Sequence, residues 1–126
     1  MQLNNISSSP LHTQIELNIK NQLINGVLSP GDRLLSVREF ATNLNINPNT
    51  VNRAYKNLEK EELIVILPGK GIFIKNIRTM PPSIMKEKEL KKELGLLLLD
   101  MHYHTIKEET IQNWVTEFFE KVGEKK

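Results

Sequence analysis

The chain has 126 residues, 39% of them hydrophobic, and a formal net charge of +2 at pH 7. This length fits one ordinary domain or a small domain with an appendage, and the apolar content suffices for a core. The absence of Cys excludes disulfides and thiolate metal sites. No apolar run approaches the roughly 20 residues that cross a bilayer, and the polar N-terminus lacks a signal-peptide pattern. A cytoplasmic protein without membrane contact is therefore expected.

The charge is unevenly distributed along the chain. Residues 1–78 hold nine Lys/Arg and six Asp/Glu, giving +3, whereas residues 79–126 hold eight and nine, giving −1. This asymmetry is too small to indicate a nucleic-acid partner by itself. It does place the basic excess in the part of the chain that carries the motifs described next.

A first helix is predicted from about residue 10 to residue 25. Its apolar positions recur every four residues and comprise Leu11, Ile15, Ile19 and Leu23. Gly26 follows as a C-terminal stop. Pro30 and Gly31 then favour a turn, because Pro presets its φ angle and Gly accepts a positive one. A short strand is predicted at residues 33–35.

Two helices follow with a very short link between them. Ser36 and Glu39 have the spacing of a capping box, in which each side chain satisfies a backbone N–H of the other residue. After residues 45–46, Asn47 is placed to cap the next helix, and Pro48 occupies the first helical position, where its missing N–H costs nothing. Two helices with so short a link are typical of a helix-turn-helix.

The second of these helices has two different faces. Its predicted buried stripe comprises Val51, Ala54, Tyr55 and Leu58, and Tyr55 is expected to bring its hydroxyl near a DNA phosphate. Its opposite face carries Asn49, Asn52, Arg53 and Lys56. Amides and guanidinium groups pair with base edges, and basic groups neutralise phosphate. This pattern predicts a DNA-recognition helix, whereas an isolated polar face would more simply be solvated.

Two strands with a Gly-rich tip follow this helix. Residues 63–67 are aliphatic and largely β-branched, and residues 72–75 form the expected return strand. Residues 68–71 form the tip, where Gly69 allows close backbone approach to DNA and Lys70 supplies a charge. A hairpin directly after a helix-turn-helix indicates the wing of a winged-helix domain. The tip lacks the spacing of a nucleotide-binding P-loop.

The two prolines at residues 81–82 favour a domain boundary, giving a DNA-binding domain at residues 1–78 and a tail at residues 79–126. The tail is predicted to be an antiparallel two-helix hairpin. Its two apolar faces comprise Leu90, Leu94, Leu97, Leu98 and Met101, and Ile111, Trp114, Val115, Phe118, Phe119 and Val122. Two helices have too little core to bury these side chains alone. Either the N-terminal domain or a second copy must cover them, and a two-fold homodimer is the commoner solution.

Several spaced segments resemble the GntR family of bacterial transcription regulators, over roughly residues 10 to 75. The matching residues are Pro10, Leu11, Gln14 and Ile15; Leu28 to Leu34; Ser36 to Glu39 and Ala41; Asn47 to Val51; Arg53 to Tyr55, Leu58 and Glu59; and Gly69 to Phe73. The short tail is similar to that of the YtrA-type subfamily, whose members lack a large ligand-binding domain. The resemblance implies a mainly α fold with a small β wing, and a dimerising tail. It also implies a repressor of an operon that encodes an ABC transporter.

The resemblance also implies where DNA is contacted. The matching positions are Arg38, Asn47, Asn49, Thr50, Asn52, Arg53, Gly69 and Lys70. The chain departs from the family pattern at Leu35, where Pro is usual, and at Glu62, where a Gly usually ends the recognition helix. Residues 67–68 stand where Arg is frequent, which predicts a weaker grip of the wing on DNA.

Other chemistry is poorly supported. His102, His104 and Glu108 form only a low-specificity metal pattern, so no metal or cofactor is expected. No nucleophile–base pair or paired carboxylates indicate an enzyme. The aromatic stripe of the tail is more often an interface than an effector pocket. The alternative to a DNA-binding regulator is a winged-helix module for protein interaction, and a small-molecule effector remains open.

Overall fold

The structure, a computed structural model, describes residues 9–76 and 83–122. The elements in chain order are α1 (Leu11–Ile24), β1 (Arg33–Leu34), α2 (Val37–Leu44), α3 (Pro48–Lys60), β2 (Ile64–Leu67), β3 (Gly71–Ile74), α4 (Ile84–Tyr103) and α5 (Glu108–Lys121). The predicted winged helix-turn-helix with a helical C-terminal region is confirmed. The proposed boundary between residues 78 and 79 lies outside the described residues.

The three strands form one antiparallel sheet in the order β1-β3-β2. Arg33 pairs with Phe73, and Ile66 pairs with Ile72. Side chains alternate across a sheet, so Ile72 and Ile74 point into the core while Phe73 lies on the outer face. Strand β1 precedes α2 in the chain and pairs with β3 of the wing hairpin, so it links the start of α2 to the wing.

The core surrounds the apolar stripe of α3. Val51, Ala54 and Leu58 are 0% exposed and Tyr55 is 1% exposed. α1, α2 and β2 all pack against α3. The other buried apolar side chains are Ile15, Ile19, Phe40, Ala41, Ile64, Ile72 and Ile74. Because these neighbours cover one side of α3, its polar side must face outward.

Tyr55 also fixes α3 through a hydrogen bond. Its ring meets Phe40 of α2 edge-on, and its hydroxyl donates to the Leu35 carbonyl oxygen at 2.7 Å. The expected burial of Tyr55 is confirmed, but its hydroxyl holds the segment between β1 and α2 instead of reaching toward a phosphate. Burial, followed by the charge of Glu39, raises the pKa of the Tyr55 phenol well above its usual value.

The end of α3 uses an unusual residue. The Leu63 N–H bonds to the Leu58 carbonyl at 3.0 Å and the Glu62 N–H to the Glu59 carbonyl at 2.9 Å, which is the Schellman arrangement. It requires a left-handed residue, and Glu62 supplies it with φ of 64°. The chain thus builds the usual helix-to-wing turn with a residue that has a Cβ and is strained there.

The two tail helices are confirmed, but they differ from the expected hairpin in one respect. α4 and α5 do not pack against each other along their lengths. Thr105 ends α4 with φ of 58°, and the Ile106 N–H bonds back to the Met101 carbonyl at 3.0 Å. Two helices alone supply too little core to close on each other. Their apolar faces therefore remain open.

The tail meets the N-terminal domain at Gly26. The carbonyl oxygen of Lys121, at the end of α5, lies so close over Gly26 that a Cβ there would overlap it. Gly26 has φ of +73°, so its place after α1 also favours Gly for conformational reasons. In the described parts of the chain, no helix is long and apolar enough to span a bilayer.

Replacing Glu62 by Gly is expected to stabilise the domain by about 0.5–1 kcal/mol, because Gly relieves the left-handed strain at a modest entropic cost. The lost contact with Lys75, at 3.7 Å and exposed, contributes little. Urea unfolding followed by circular dichroism measures the change. Lys60→Gly, two residues earlier and within α3, should instead destabilise the domain. Equal destabilisation by both substitutions contradicts the strain at Glu62.

Replacing Tyr55 by Phe is expected to cost about 1–2 kcal/mol, because the Leu35 carbonyl loses its donor in a partly buried place. Thermal unfolding measures this loss. Tyr103→Phe is the matched control, since Tyr103 is the chain's only other tyrosine and is 77% exposed. Indistinguishable midpoints for the two variants would show that the Tyr55 hydrogen bond does not hold α3.

Candidate nucleic-acid interface

The outward face of α3 carries the predicted base-reading residues. Asn49, Asn52, Arg53 and Lys56 are all exposed, and Thr50 is half-buried beside them. Their spacing of three and four residues places them on one side of the helix, opposite the buried stripe. A helix in the major groove presents such a row of amide donors, amide acceptors and cations to base edges and phosphates. The structure thus places these five side chains together.

Asn47 lies at the N-terminal end of this face and acts as the helix cap. Its side-chain oxygen accepts the Asn49 N–H at 2.8 Å, while its backbone carbonyl accepts the Thr50 N–H at 3.0 Å. The predicted cap is confirmed. Capping occupies the acceptor of the Asn47 amide and leaves the donor NH₂ group of this exposed residue outside the cap. The N-terminus of α3 also carries a partial positive charge that favours phosphate.

The start of α2 carries a further exposed cation. Arg38, the second residue of α2, is exposed. The predicted capping box is present, with Glu39 N–H to Ser36 Oγ at 3.1 Å and Ser36 N–H to a Glu39 carboxylate oxygen at 3.0 Å. Hydrogen bonding by Ser36, from its backbone first and its side chain second, holds the pKa of the Glu39 carboxyl below its usual 4.5. The ionised carboxylate therefore supports this helix start above pH 4.5, and the support is lost as pH falls through the lowered pKa.

The wing tip adds a third element. Gly69 has φ of +77° and is exposed, and the Lys70 N–H closes the turn onto the Leu67 carbonyl at 2.9 Å. Lys70 is exposed at the tip. The predicted hairpin is confirmed, and its tip presents one cation together with a backbone that no Cβ shields at Gly69.

Two cations outside this surface contact carboxylates. Lys20 pairs with Glu61 at 2.7 Å and Lys75 contacts Glu62 at 3.7 Å, both at the C-terminal end of α3. Within residues 9–76 and 83–122, no carboxylate lies within ion-pair distance of the cations of the candidate surface, which are Arg38, Arg53, Lys56 and Lys70. Their charge is available to an anionic partner.

The weak metal pattern of the tail is not assembled. His104 contacts the Asp100 carboxylate at 3.3 Å, and His102 instead lies beside the Tyr103 ring. Across the residues that the structure describes, no group of three or more His, Asp or Glu side chains is arranged to hold a metal ion.

The chain matches the model of the family described as bacterial regulatory proteins, gntR family, over residues 11–74. It is 38% identical over 117 residues to the transcriptional repressor YtrA of Bacillus subtilis, covering 93% of this chain and 90% of that protein. A Listeria monocytogenes structure described as a transcriptional antiterminator is 37% identical, with TM-score 0.71 and coverage of 98% and 92%. YtrA from Sulfolobus acidocaldarius, a GntR-family transcription factor, is 25% identical, with TM-score 0.64 and coverage of 97% and 98%.

The family match and the relatives agree with the geometry of α2, α3 and the wing. The family and the named relatives are transcription regulators. The site has the outward polar face of α3, the exposed start of α2 and the wing tip, which suit binding to DNA. The chain belongs to the GntR family of bacterial regulatory proteins and is a DNA-binding transcription regulator, not an enzyme.

Proposed function

We propose that this protein is a homodimeric repressor that binds a palindromic operator. The observation that carries the proposal is the outward face of α3, whose cations have no carboxylate partner in the described part of the chain. The buried stripe behind that face fixes its direction. DNA is the partner whose major groove fits such a helix.

The residues of the surface divide by chemistry. Asn49, Asn52 and Arg53 read base edges, because their side chains pair with adenine or guanine in the major groove. Lys56, Arg38 and Lys70 neutralise phosphates, and releasing the counterions makes binding strongly salt-dependent. The remaining proposed contacts are Asn47 and Thr50 at the start of α3 and Gly69 at the wing tip.

A second copy of the chain is the proposed cover for the tail. Its apolar residues are half exposed, as Leu94 at 52% and Trp114 at 45% illustrate. The proposed dimer interface comprises Leu90, Leu94, Leu97, Leu98, Met101, Trp114, Val115, Phe118 and Phe119. A two-fold axis through the tails sets two α3 helices on half-sites about 34 Å apart, one turn of DNA.

Repression is proposed by similarity, since relatives in Bacillus subtilis are named the transcriptional repressors YtrA and NagR. The resemblance to YtrA-type regulators supports an ABC transporter operon, together with the protein's own gene, as the target. An effector would act by changing the spacing of the two α3 helices. The contact of Lys121 on Gly26 is one place where a tail movement would reach the DNA-binding domain.

Asn52→Ala is expected to relax specificity at one operator position and to cost about 1–3 kcal/mol there, because a bidentate amide contact is lost. The measurement is selection of DNA from a random pool at low salt, followed by affinities for single-base variants of the selected site. Asn21→Ala is the matched control, since Asn21 is exposed on α1. No enrichment of any sequence by wild type contradicts the proposed function.

Phe118→Glu is expected to convert the dimer to monomers, because a charge enters the apolar interface. Operator binding should weaken by at least tenfold, because a monomer cannot bind both half-sites at once. Light scattering coupled to size exclusion gives the oligomeric state. Asn113→Glu adds the same charge on the opposite side of α5 and should leave the dimer intact. A monomeric wild type at the concentrations that bind DNA is the contradicting result.

A further inference from the structure

The side chain of Arg33 lies at the base of the wing tip, although Arg33 is far from the wing in the sequence. It is an exposed residue of β1, and its side chain lies against Gly71 at the base of the wing tip. Its Nε atom is 3.0 Å, and one Nη atom 3.4 Å, from the point where a Cβ of residue 71 would stand. Gly71 therefore leaves the space that the guanidinium occupies.

The direction of this side chain follows from the strand pairing. Arg33 pairs with Phe73 across the sheet, and Gly71 lies two residues closer to the wing tip on the same strand. Residues two apart on a strand share a face of the sheet. The Arg33 side chain thus runs along the outer face of the sheet toward the tip. Its charge lies next to Gly71, the residue that follows Lys70.

Arg33 also precedes the N-cap of α2, Ser36, by three residues. The positive charge of Arg33 is one cause of the lowered pKa of Glu39, after the hydrogen bonds from Ser36. Glu39 directly follows Arg38 in α2. The Glu39 carboxylate accepts the Ser36 N–H, and no ion pair to Arg33 occurs within the described ranges. Arg33 is therefore a cation between the start of α2 and the wing.

We propose that Arg33 binds a phosphate of the DNA strand that crosses from the start of α2 to the wing. This inference rests on the proposed function and extends its contact surface by a residue of β1. Guanidinium is suited to the role, because its fork of N–H donors matches two phosphate oxygens. Arg33 also offsets the wing's scarcity of cations, since Leu67 and Pro68 supply none.

The test measures how operator affinity changes with salt for four proteins: wild type, Arg33→Gln, Arg33→Lys and Lys20→Gln. A single phosphate contact contributes about 0.9 to the slope of log affinity against log salt concentration. Arg33→Gln should lower the slope by about this amount and weaken binding about tenfold at low salt. Arg33→Lys should keep most of the slope. Lys20, paired with Glu61 at the C-terminal end of α3, should change neither quantity.

Three results would overturn the proposal. The first is a wild-type slope for Arg33→Gln, which leaves the proposed function intact. The second is an equal loss of operator affinity in Arg33→Gln and Arg33→Lys while the salt slope is unchanged. This result gives Arg33 a structural role alone, and the thermal unfolding midpoints of both variants then fall. The third is salt-independent or absent binding by wild type itself, which removes the proposed function and the role of Arg33 together.

Discussion

Burial of the α3 stripe between α1, α2 and the sheet is the constraint on which the rest of the structure depends. Val51, Ala54 and Leu58 have no exposed surface. A fully buried Val or Leu side chain contributes about 1.5–3 kcal/mol, so rotating α3 to hide its polar face would be costly. The polar face is consequently held outward by the packing of the opposite face. Tyr55 adds direction, because its hydroxyl ties α3 to the loop from which β1 and α2 diverge.

The sequence predicted the DNA-binding domain well because its signals are local. The caps at Ser36 and Asn47 mark two helix starts, and the helical period of α3 separates the buried from the exposed face. The strands were recognisable from their β-branched residues and Gly-rich tip. Glu62 was noted as a departure, and its positive φ shows that the backbone geometry is kept even without Gly.

Two features were not predictable from local patterns. Packing between α4 and α5 depends on what covers them, and helical periodicity does not identify that cover. The position of Arg33 depends on strand register, because only its pairing with Phe73 places its side chain over Gly71. The nearest signal in the sequence was the second Gly of the wing tip, which marks a close approach of another group to the backbone. The DNA contacts themselves remain predictions.

The central claim is that the outward face of α3 reads DNA. It is tested most directly by the operator affinity of wild type and Arg53→Ala at two salt concentrations, using DNA selected by the wild type. We expect tight binding by wild type that weakens steeply with salt, and a loss of about 10- to 100-fold for the variant, since a base contact worth about 1–3 kcal/mol is removed. Binding of Arg53→Ala with wild-type affinity at both salt concentrations would contradict the claim.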